Sequence, residues 1–252
     1  MRPTAPEWMD DPAVDPAQLA ASLRFIRRVN RYLGGSHAIL HHLRRWSQKW
    51  PPSSAITLLD IATGSADIPL AILKWARRRH HPVHIFALDN HPITLHLAAA
   101  HIKKAQHSGP STQDLHLIRG DALALPFPDR SIDYVLSSMF FHHLPDSLIP
   151  RALAEMLRVA RRGIIVNDLL RSRFARIAIH ALTLFASPID KHDARLSVKK
   201  AWTRPTVESW ATSANAPWLR YHPHWASRFT LAGEKPCEAP VNADPRSGMI
   251  RP

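Results

Sequence analysis

Three aspartates follow predicted strands at positions where a carboxylate can bind a ligand. Asp60 ends one apolar run, Asp89 follows the next, and Asp121 follows a third. The carboxyl ends of parallel strands meet at one edge of a doubly wound sheet, where ligands bind. There, Asp89 can accept hydrogen bonds from both hydroxyls of a ribose, and Asp121 can accept one from an exocyclic amine. The spacing therefore predicts a nucleotide-like ligand.

Gly64, one of eight glycines in 252 residues, lies in the turn after the strand that ends at Asp60. A glycine lets the backbone approach a ligand without a side chain between them. A turn that binds a dinucleotide pyrophosphate has the pattern G-x-G-x-x-G, whereas this turn has one glycine and two acids, Asp60 and Asp67. Negative charge on both sides disfavours a pyrophosphate and favours a ligand with an ammonium and a sulfonium group.

Hydrophobic periodicity indicates alternating strands and helices through the middle of the chain. Short apolar runs separated by helical patterns predict parallel strands with helices on both faces. The predicted strands span 56–60, 83–88, 115–118, 132–137, 164–167, 218–222 and 228–232, with helices over 67–79, 92–106, 147–159 and 205–212. We therefore predict an α/β fold with a doubly wound, mostly parallel seven-stranded sheet, an N-terminal helical hairpin and a helical insert after the fifth strand.

The predicted domain boundaries follow from proline content and periodicity. Both ends are rich in proline and lack apolar periodicity, which is typical of disordered tails. The predicted segments are a disordered tail over 1–16, the helical hairpin over 17–50, the α/β domain over 51–233 with its insert at 169–204, and a second disordered tail over 234–252.

The chain is strongly basic. It has 33 Lys and Arg against 20 Asp and Glu, a net charge of +13, and the stretch from Arg24 to Lys49 contains no acid. Such charge either forms the solvated face of amphipathic helices or binds an anionic partner such as nucleic acid. The only cysteine, Cys237, permits neither an intrachain disulfide nor a cysteine metal cluster. No secretory pattern or membrane-length apolar run is present, so we expect a soluble, cytoplasmic protein.

Four segments form a recognisable series of motifs. They are Leu58–Ala66, Ala87–Asp89, Gly120–Val135 and Phe141–Leu144. They resemble successive motifs of class I S-adenosylmethionine-dependent methyltransferases, especially the ubiquinone/menaquinone-biosynthesis type and its small-molecule relatives. The run that begins Gly-Asp-Ala and ends Asp-Tyr-Val is the most specific of them, and the resemblance covers about 56–168.

This resemblance implies a Rossmann-like methyltransferase fold with S-adenosylmethionine as cofactor. It implies that the turn after the first strand frames the methionine portion, the second strand holds the ribose and the third flanks the adenine. The cofactor-binding residues implied in this way are Asp60, Ala62, Gly64, Asp89, Asn90, Asp121, Ala122 and Ser137. Ala62 and Ala66 stand where the family has glycine, and a methyl group at each opposes a positive φ.

His142 and His143 follow the fourth predicted strand, near the place where donor and acceptor should meet. A histidine there can act as a general base toward a phenol or a carbon acid, or it can simply hydrogen-bond the loop backbone. We take both as catalytic candidates, and the predicted acceptor contacts are Phe141, Asp168, His192 and Ser197. No His, Asp and Glu set shows metal-ligand spacing, so the sequence predicts no metal site.

An apolar helical stripe from Phe174 to Phe185 lies beside Arg171, Arg173 and Arg176 in the insert. This helix either packs against the sheet edge or covers a hydrophobic acceptor, with its arginines facing an anionic group or a membrane surface.

Three functions remain open from the sequence. The first is methyl transfer to oxygen or carbon of a small hydrophobic acceptor, aromatic or of polyketide or quinone type. The second is RNA methylation, favoured by the net charge of +13 but without an added RNA-binding module. The third is a non-catalytic S-adenosylmethionine-fold binding protein, favoured by Ala62 and Ala66. We predict no transmembrane segment, and peripheral membrane contact is compatible with the first function.

Overall fold

The computed structural model describes residues 2–52, 54–108 and 112–236, and in them the chain forms one seven-stranded sheet. Its strands are β1 (Ile56–Ile61), β2 (Val83–Asp89), β3 (Leu115–Arg119), β4 (Ile132–Ser138), β5 (Ala160–Leu169), β6 (Arg220–His224) and β7 (Arg228–Glu234). Across the sheet the order is β3-β2-β1-β4-β5-β7-β6. The first five strands are parallel, and β7 is antiparallel to both β5 and β6. The predicted doubly wound, mostly parallel seven-stranded sheet is confirmed.

The helices join the parallel strands or precede and follow them. They are α1 (Pro16–Tyr32), α2 (Gly35–Trp46), α3 (Asp67–Arg78), α4 (Pro92–Ser108), α5 (Ile149–Val159), α6 (Arg173–Leu182), α7 (Pro188–Lys200) and α8 (Arg204–Ser213). Among the described residues no helix combines the length and the apolar character that crossing a bilayer requires. Each of α1, α6 and α7 begins with a side-chain oxygen that accepts a hydrogen bond from a free backbone N–H of its first turn.

The chain changes direction between β1 and β4. Strand β1 pairs with β2 on one side and with β4 on the other. The crevice of a doubly wound sheet opens beyond the carboxyl ends of the strands at such a point. The residues that end β1, β2 and β4 therefore surround one crevice.

The parallel strands are apolar on both faces because helices cover both. Leu58 and Ile85 pack in the core beneath α2 and α3, while Leu59 and Val135 pack with α5 and α8 on the opposite face. The arginines of α2 lie on its exposed side. This arrangement fits the interpretation of the basic stretch as solvated helix faces.

The N-terminal segment differs from the predicted disordered tail. Residues Trp8–Asp10 form a 3-10 helix, and α1 begins at Pro16. Arg2 lies 2.6 Å from Asp146 by its guanidinium and stacks 3.8 Å above the ring of Trp202. These partners are far away in sequence, so no local periodicity reveals them. Most of the predicted C-terminal tail, 237–252 with Cys237, lies outside the described residues.

The insert after β5 contains α6 and α7. No residue of α6 is buried. In α7, by contrast, polar residues are buried, among them Asp193, Ser197 and Lys200. Burial of polar side chains produces no apolar stripe, which explains why the sequence predicted α6 but not α7.

Candidate active site

The turn between β1 and α3 has three residues in the left-handed conformation. The φ angles are 54° at Ala62, 55° at Gly64 and 58° at Ala66. The turn is held by a hydrogen bond from the Thr63 N–H to the Leu88 carbonyl, 3.0 Å. Both alanines thus adopt the backbone that glycine adopts freely, and their methyl groups strain the turn without preventing it.

Three carboxylates surround this turn: Asp60 and Asp89 are buried, and Asp67 is half-buried. Asp60 Oδ2 accepts a hydrogen bond from Thr63 Oγ1 at 2.7 Å, whereas its Oδ1 has no partner among the described residues. Burial raises the pKa of Asp60 to about 8, and the charges of Asp67 and Asp89 add to the rise. Burial also raises the pKa values of Asp67 and Asp89. Burial thus favours the protonated forms of these carboxylates, and a cationic ligand beside them would favour the ionised forms.

Asp89 ends β2 and faces the turn. Its two oxygens accept hydrogen bonds from the backbone N–H groups of Gly64 and His91, each at 3.0 Å. Each carboxylate oxygen retains a further lone pair for a ligand hydroxyl. Asn90 follows it at the surface and also lines the cavity described below.

Three of the residues implied by the resemblance do not line that cavity. Asp121 is exposed and accepts a hydrogen bond from the Leu123 N–H at 2.8 Å, and Ala122 packs on the hydrophobic core. Ser137 is buried, with no partner for its Oγ among the described residues. The residues just after Ser137, from Ser138 to Phe140, do line the cavity. An adenine contact by Asp121 and Ala122 stays a prediction.

The two histidines lie on the other side of the same crevice. His142 Nδ1 donates to Asp168 Oδ1 at 2.6 Å, and the His142 N–H donates to Asp168 Oδ2 at 2.9 Å. Asp168 is completely buried near the end of β5. Burial raises its pKa, but His142 outweighs this effect, so the pKa is lowered. Asp168 thus orients His142 rather than contacting a ligand, and Phe141 is a core residue that packs against Trp210.

Two acids of the N-terminal segment complete this side. His143 Nδ1 lies 2.7 Å from Asp10 Oδ2. Glu7 is buried, and its carboxylate oxygens lie 3.8 Å from His142 Nε2 and 3.7 Å from His143 Nε2. Burial opposes protonation of His143, but Glu7 and Asp10 outweigh it and raise the pKa to about 9. Sequence reasoning missed both acids because they belong to a segment it assigned to a tail.

Of the two acceptor contacts predicted in the insert, one residue lines the cavity and the other does not. Ser197 Oγ donates to Glu7 Oε1 at 2.9 Å and lines the cavity. His192 does not line it: its ring stacks on Trp8, with centroids 4.1 Å apart, and its Nδ1 lies 2.8 Å from Asp193.

A single cavity of about 950 Å³ joins these groups. The turn with its carboxylates forms one end, and His142, His143 and Glu7 form a second polar region. The remaining wall is apolar and comes mostly from α1 and α6, through Leu23, Ile26, Val29, Phe174, Ala178, Ile179 and Leu182.

Arg228 is a further cavity residue that the sequence did not reveal. It is 1% exposed, and its Nη1 has no partner among the described residues. Its Nε donates to the Leu33 carbonyl at 3.1 Å. Burial lowers its pKa to about 10, opposed by Asp168 and Asp67. The cavity therefore contains a guanidinium nitrogen and a carboxyl oxygen that are buried without hydrogen-bond partners among the described residues.

Comparison with known proteins identifies the domain. Residues 58–163 match the family model of a methyltransferase domain. Demethylmenaquinone methyltransferase from Staphylococcus haemolyticus is 36% identical over 105 residues, which are 42% of this chain and 39% of that protein. A solved S-adenosylmethionine-dependent methyltransferase from Aquifex aeolicus has the same fold, with a TM-score of 0.57 and 13% identity over 88% of this chain and 98% of that one. Residues 58–163 are therefore similar to a methyltransferase domain, and the fold is that of a solved S-adenosylmethionine-dependent methyltransferase.

A second curated relative gives the same picture. Demethylmenaquinone methyltransferase from Deinococcus radiodurans is 34% identical over 106 residues, 42% of this chain and 39% of that protein. The chain thus spans about two fifths of the length of these relatives. The solved structure from Aquifex aeolicus that shares this fold is named for its dependence on S-adenosylmethionine.

Replacing Ala62 by glycine should stabilise the protein. The left-handed conformation costs a non-glycine residue about 1–2 kcal/mol, and the extra freedom of glycine in the unfolded chain removes about 0.4–1 kcal/mol of the gain. We expect Ala62→Gly to raise the free energy of unfolding by up to about 1 kcal/mol in urea titrations. The matched change Ala66→Gly should yield less, because Ala66 is 0% exposed and its buried methyl is worth about 0.8 kcal/mol. A larger gain at Ala66 than at Ala62 would contradict this account of the turn.

Replacing Asp60 by asparagine should make stability less dependent on pH. The folded-state pKa of about 8 lies above the ordinary 3.8, so the folded chain binds more protons and the group loses stability as the pH rises between these values. Asp60→Asn should therefore have a higher melting temperature than the unsubstituted protein at pH 8, with a difference that shrinks toward pH 5.

Asp133→Asn is the control, measured over the same pH range. Asp133 is buried and lies 2.8 Å from Arg161 and 2.7 Å from Arg162. Burial raises its pKa, but the Thr57 N–H and these arginines outweigh it and lower the pKa. Its asparagine variant should melt at a lower temperature at both pH values. Stabilisation by both substitutions would show that generic charge removal, and not the environment of Asp60, causes the effect.

Proposed function

We propose that this protein transfers a methyl group from S-adenosylmethionine to oxygen or carbon of a small hydrophobic acceptor of aromatic or quinone type. The observation that carries the proposal is one cavity that joins the carboxylates of the cofactor turn to a long apolar wall, with His142 and His143 also lining it. Its volume of about 950 Å³ is at the upper end of the range for one drug-sized ligand, about 300–1,000 Å³. A cofactor and a compact acceptor can share it.

Two buried polar atoms of the cavity that lack partners among the described residues can pair with the charged groups of the cofactor. S-adenosylmethionine has an ammonium, a carboxylate and a sulfonium on its methionine portion. Asp60 Oδ1 and Arg228 Nη1 are buried without partners among the described residues, so an ammonium and a carboxylate would each satisfy one of them. Asp89 would hold the ribose hydroxyls with its remaining lone pairs.

When bound, the cofactor supplies an electrophilic methyl group on a positively charged sulfur. The residues of this chain contribute position and environment. The apolar wall excludes water and holds a flat acceptor, which supports transfer by proximity. His142 and His143 are the polar groups that we assign to the hydroxyl or acidic carbon of the acceptor, with His142 held in place by Asp168.

The apolar helix α6 supports a hydrophobic acceptor. Phe174 is 72% exposed and Ile177 73% exposed, yet Phe174 also lines the cavity. Large exposed apolar groups at the rim of a cavity mark a surface for an apolar ligand or a membrane. The curated relatives are named for demethylmenaquinone, a name that supports a quinone-like acceptor here. No feature of the cavity favours RNA over such an acceptor.

Two substitutions should separate the contacts to the cofactor. We expect Arg228→Gln to weaken S-adenosylmethionine binding in calorimetry by about 1.5–3 kcal/mol, the value of a hydrogen bond to a charged group. The same variant should bind decarboxylated S-adenosylmethionine as the unsubstituted protein does. Asp89→Asn should weaken binding of both compounds, because the ribose is common to them.

Asp129→Asn serves as the control because Asp129 pairs with Arg158 away from the cavity. It should leave both affinities unchanged. If the unsubstituted protein bound neither compound at millimolar concentration, the proposed function would be wrong. An equal loss for both compounds in Arg228→Gln would refute the assignment of Arg228 to the carboxylate.

The acceptor class can be tested with phenols that bear alkyl chains of increasing length. Each added methylene that the wall buries should be worth about 0.8 kcal/mol, so KM should fall about fourfold per methylene until the wall is filled. Phe174→Ala should raise KM for the longer chains by about three- to tenfold. Phe185→Ala is the matched control, because Phe185 is 96% exposed and does not line the cavity. A KM independent of chain length, with methylation of RNA instead, would overturn the proposal for the acceptor.

A further inference from the structure

We infer that Glu7, His142 and His143 form a binding site for one divalent transition-metal ion. The Nε2 atoms of both histidines face the carboxylate of Glu7, at 3.8 and 3.7 Å. One ligand atom from each residue lies within 4.8 Å of the others. An ion with bonds of about 2.0–2.2 Å bridges atoms up to about 4 Å apart, so small rotations of these side chains suffice. The distances to Glu7 are too long for direct hydrogen bonds.

The second, independent observation is that the other ring nitrogen of each histidine faces a carboxylate. His142 Nδ1 donates to Asp168 at 2.6 Å, and His143 Nδ1 lies 2.7 Å from Asp10. A metal-binding histidine typically donates its other ring N–H to a carboxylate, which fixes the tautomer and the ring orientation. Here two adjacent histidines have this arrangement, and both present Nε2 toward the same third ligand.

The charges around the site also suit a divalent ion. Glu7, Asp10 and Asp168 supply three negative charges, and Lys200 supplies one positive charge, with its Nζ 3.7 Å from Glu7. Arg228, whose charge interacts with Asp168, supplies a second positive charge, and the net negative charge that remains favours a bound cation. Ser197 Oγ orients the Glu7 carboxylate at 2.9 Å without adding charge. A protonated His143 also offsets this charge, and it is the alternative that the experiment must exclude.

The three ligands indicate which metal ions would bind and what a bound ion would do to the acceptor. Two imidazoles and one carboxylate with open positions suit Zn²⁺, Fe²⁺, Co²⁺ or Mn²⁺, whereas Mg²⁺ and Ca²⁺ prefer all-oxygen sites. All three ligands line the cavity, so the open positions face the acceptor. Resting on the proposed function, this narrows the acceptor to one with a phenolic or enolic oxygen, because such an oxygen binds a Lewis acid.

Sequence spacing could not reveal this site. His142 and His143 are adjacent, and adjacent histidines have no spacing typical of a metal site. Glu7 is 135 positions before His142 in the sequence. The prediction of no metal site was based on local spacing alone, and folding brings the third ligand to the pair.

The test uses Co²⁺ as the probe, because its visible absorption reports the ligands directly. Full-length, tag-free protein is treated with a chelator, dialysed and titrated with CoCl₂ by calorimetry and by absorption. We expect one Co²⁺ per chain at micromolar dissociation constant or tighter, with displacement by Zn²⁺. Glu7→Gln and His143→Gln should each weaken Co²⁺ binding at least tenfold and alter the spectrum. Asp10→Asn removes the carboxylate that pairs with His143 and should weaken Co²⁺ binding about tenfold.

His192→Gln is the matched control, because His192 is also paired with an aspartate, Asp193, but does not line the cavity. It should bind Co²⁺ like the unsubstituted protein, and circular dichroism should show all variants folded. No stoichiometric Co²⁺ binding, or an equal loss in His192→Gln, would overturn the metal site. The affinity for S-adenosylmethionine is measured on the same samples. If the protein binds S-adenosylmethionine but not Co²⁺, the metal site alone is refuted. If the protein binds Co²⁺ but not S-adenosylmethionine, the proposed function alone is refuted.

Discussion

The rest of the structure must offset the cost of two buried polar groups, Asp60 and Arg228, that the fold leaves without all of their hydrogen-bond partners. Asp60 Oδ1 and Arg228 Nη1 lie in the same cavity, and neither has a hydrogen-bond partner among the described residues. Leaving a buried donor or acceptor without a partner costs about 1–3 kcal/mol, which the apolar core on both faces of the sheet must offset. The raised pKa of Asp60 and the lowered pKa of Arg228 are signs of that cost. The zwitterionic cofactor that we propose would satisfy both atoms at once, so the feature that costs stability would favour binding.

The sheet positions one half of the site, and the N-terminal segment completes the other. The backbone N–H groups of Trp8 and Met9 donate to Asp193 of α7 at 2.8 and 3.0 Å. Arg2 bonds the carbonyl of His142 at 2.9 Å, so the segment contacts the histidine loop as well as the insert. Glu7 lies between these two attachments. The contribution of Glu7 to the cavity therefore depends on this segment staying in place.

The sequence revealed what local patterns determine. Apolar runs predicted the parallel strands and hence the edge at which Asp60 and Asp89 meet, because strand direction follows from alternation with helices. Asp121 follows β3 as predicted but is exposed, because the loop after the strand, from whose Leu123 N–H it accepts a hydrogen bond, sets the position of its side chain. Glu7 and Arg228 came from segments far apart in sequence, and no local pattern records which distant groups will lie together. For the same reason α7, which buries polar rather than apolar residues, was missed.

The apolar wall and the polar site are mechanically connected through α7. Ser197 of α7 bonds Glu7, while α6, which carries Phe174, packs on α7 rather than on the sheet. A helix without buried residues contributes little apolar burial of its own and opens at small cost. The position of α6 therefore depends on that of α7, and the contacts of Glu7 and Asp193 fix α7 to the N-terminal segment. A cation bound at Glu7 would tighten this contact, so the group that binds the acceptor oxygen would also steady the wall against which the acceptor packs.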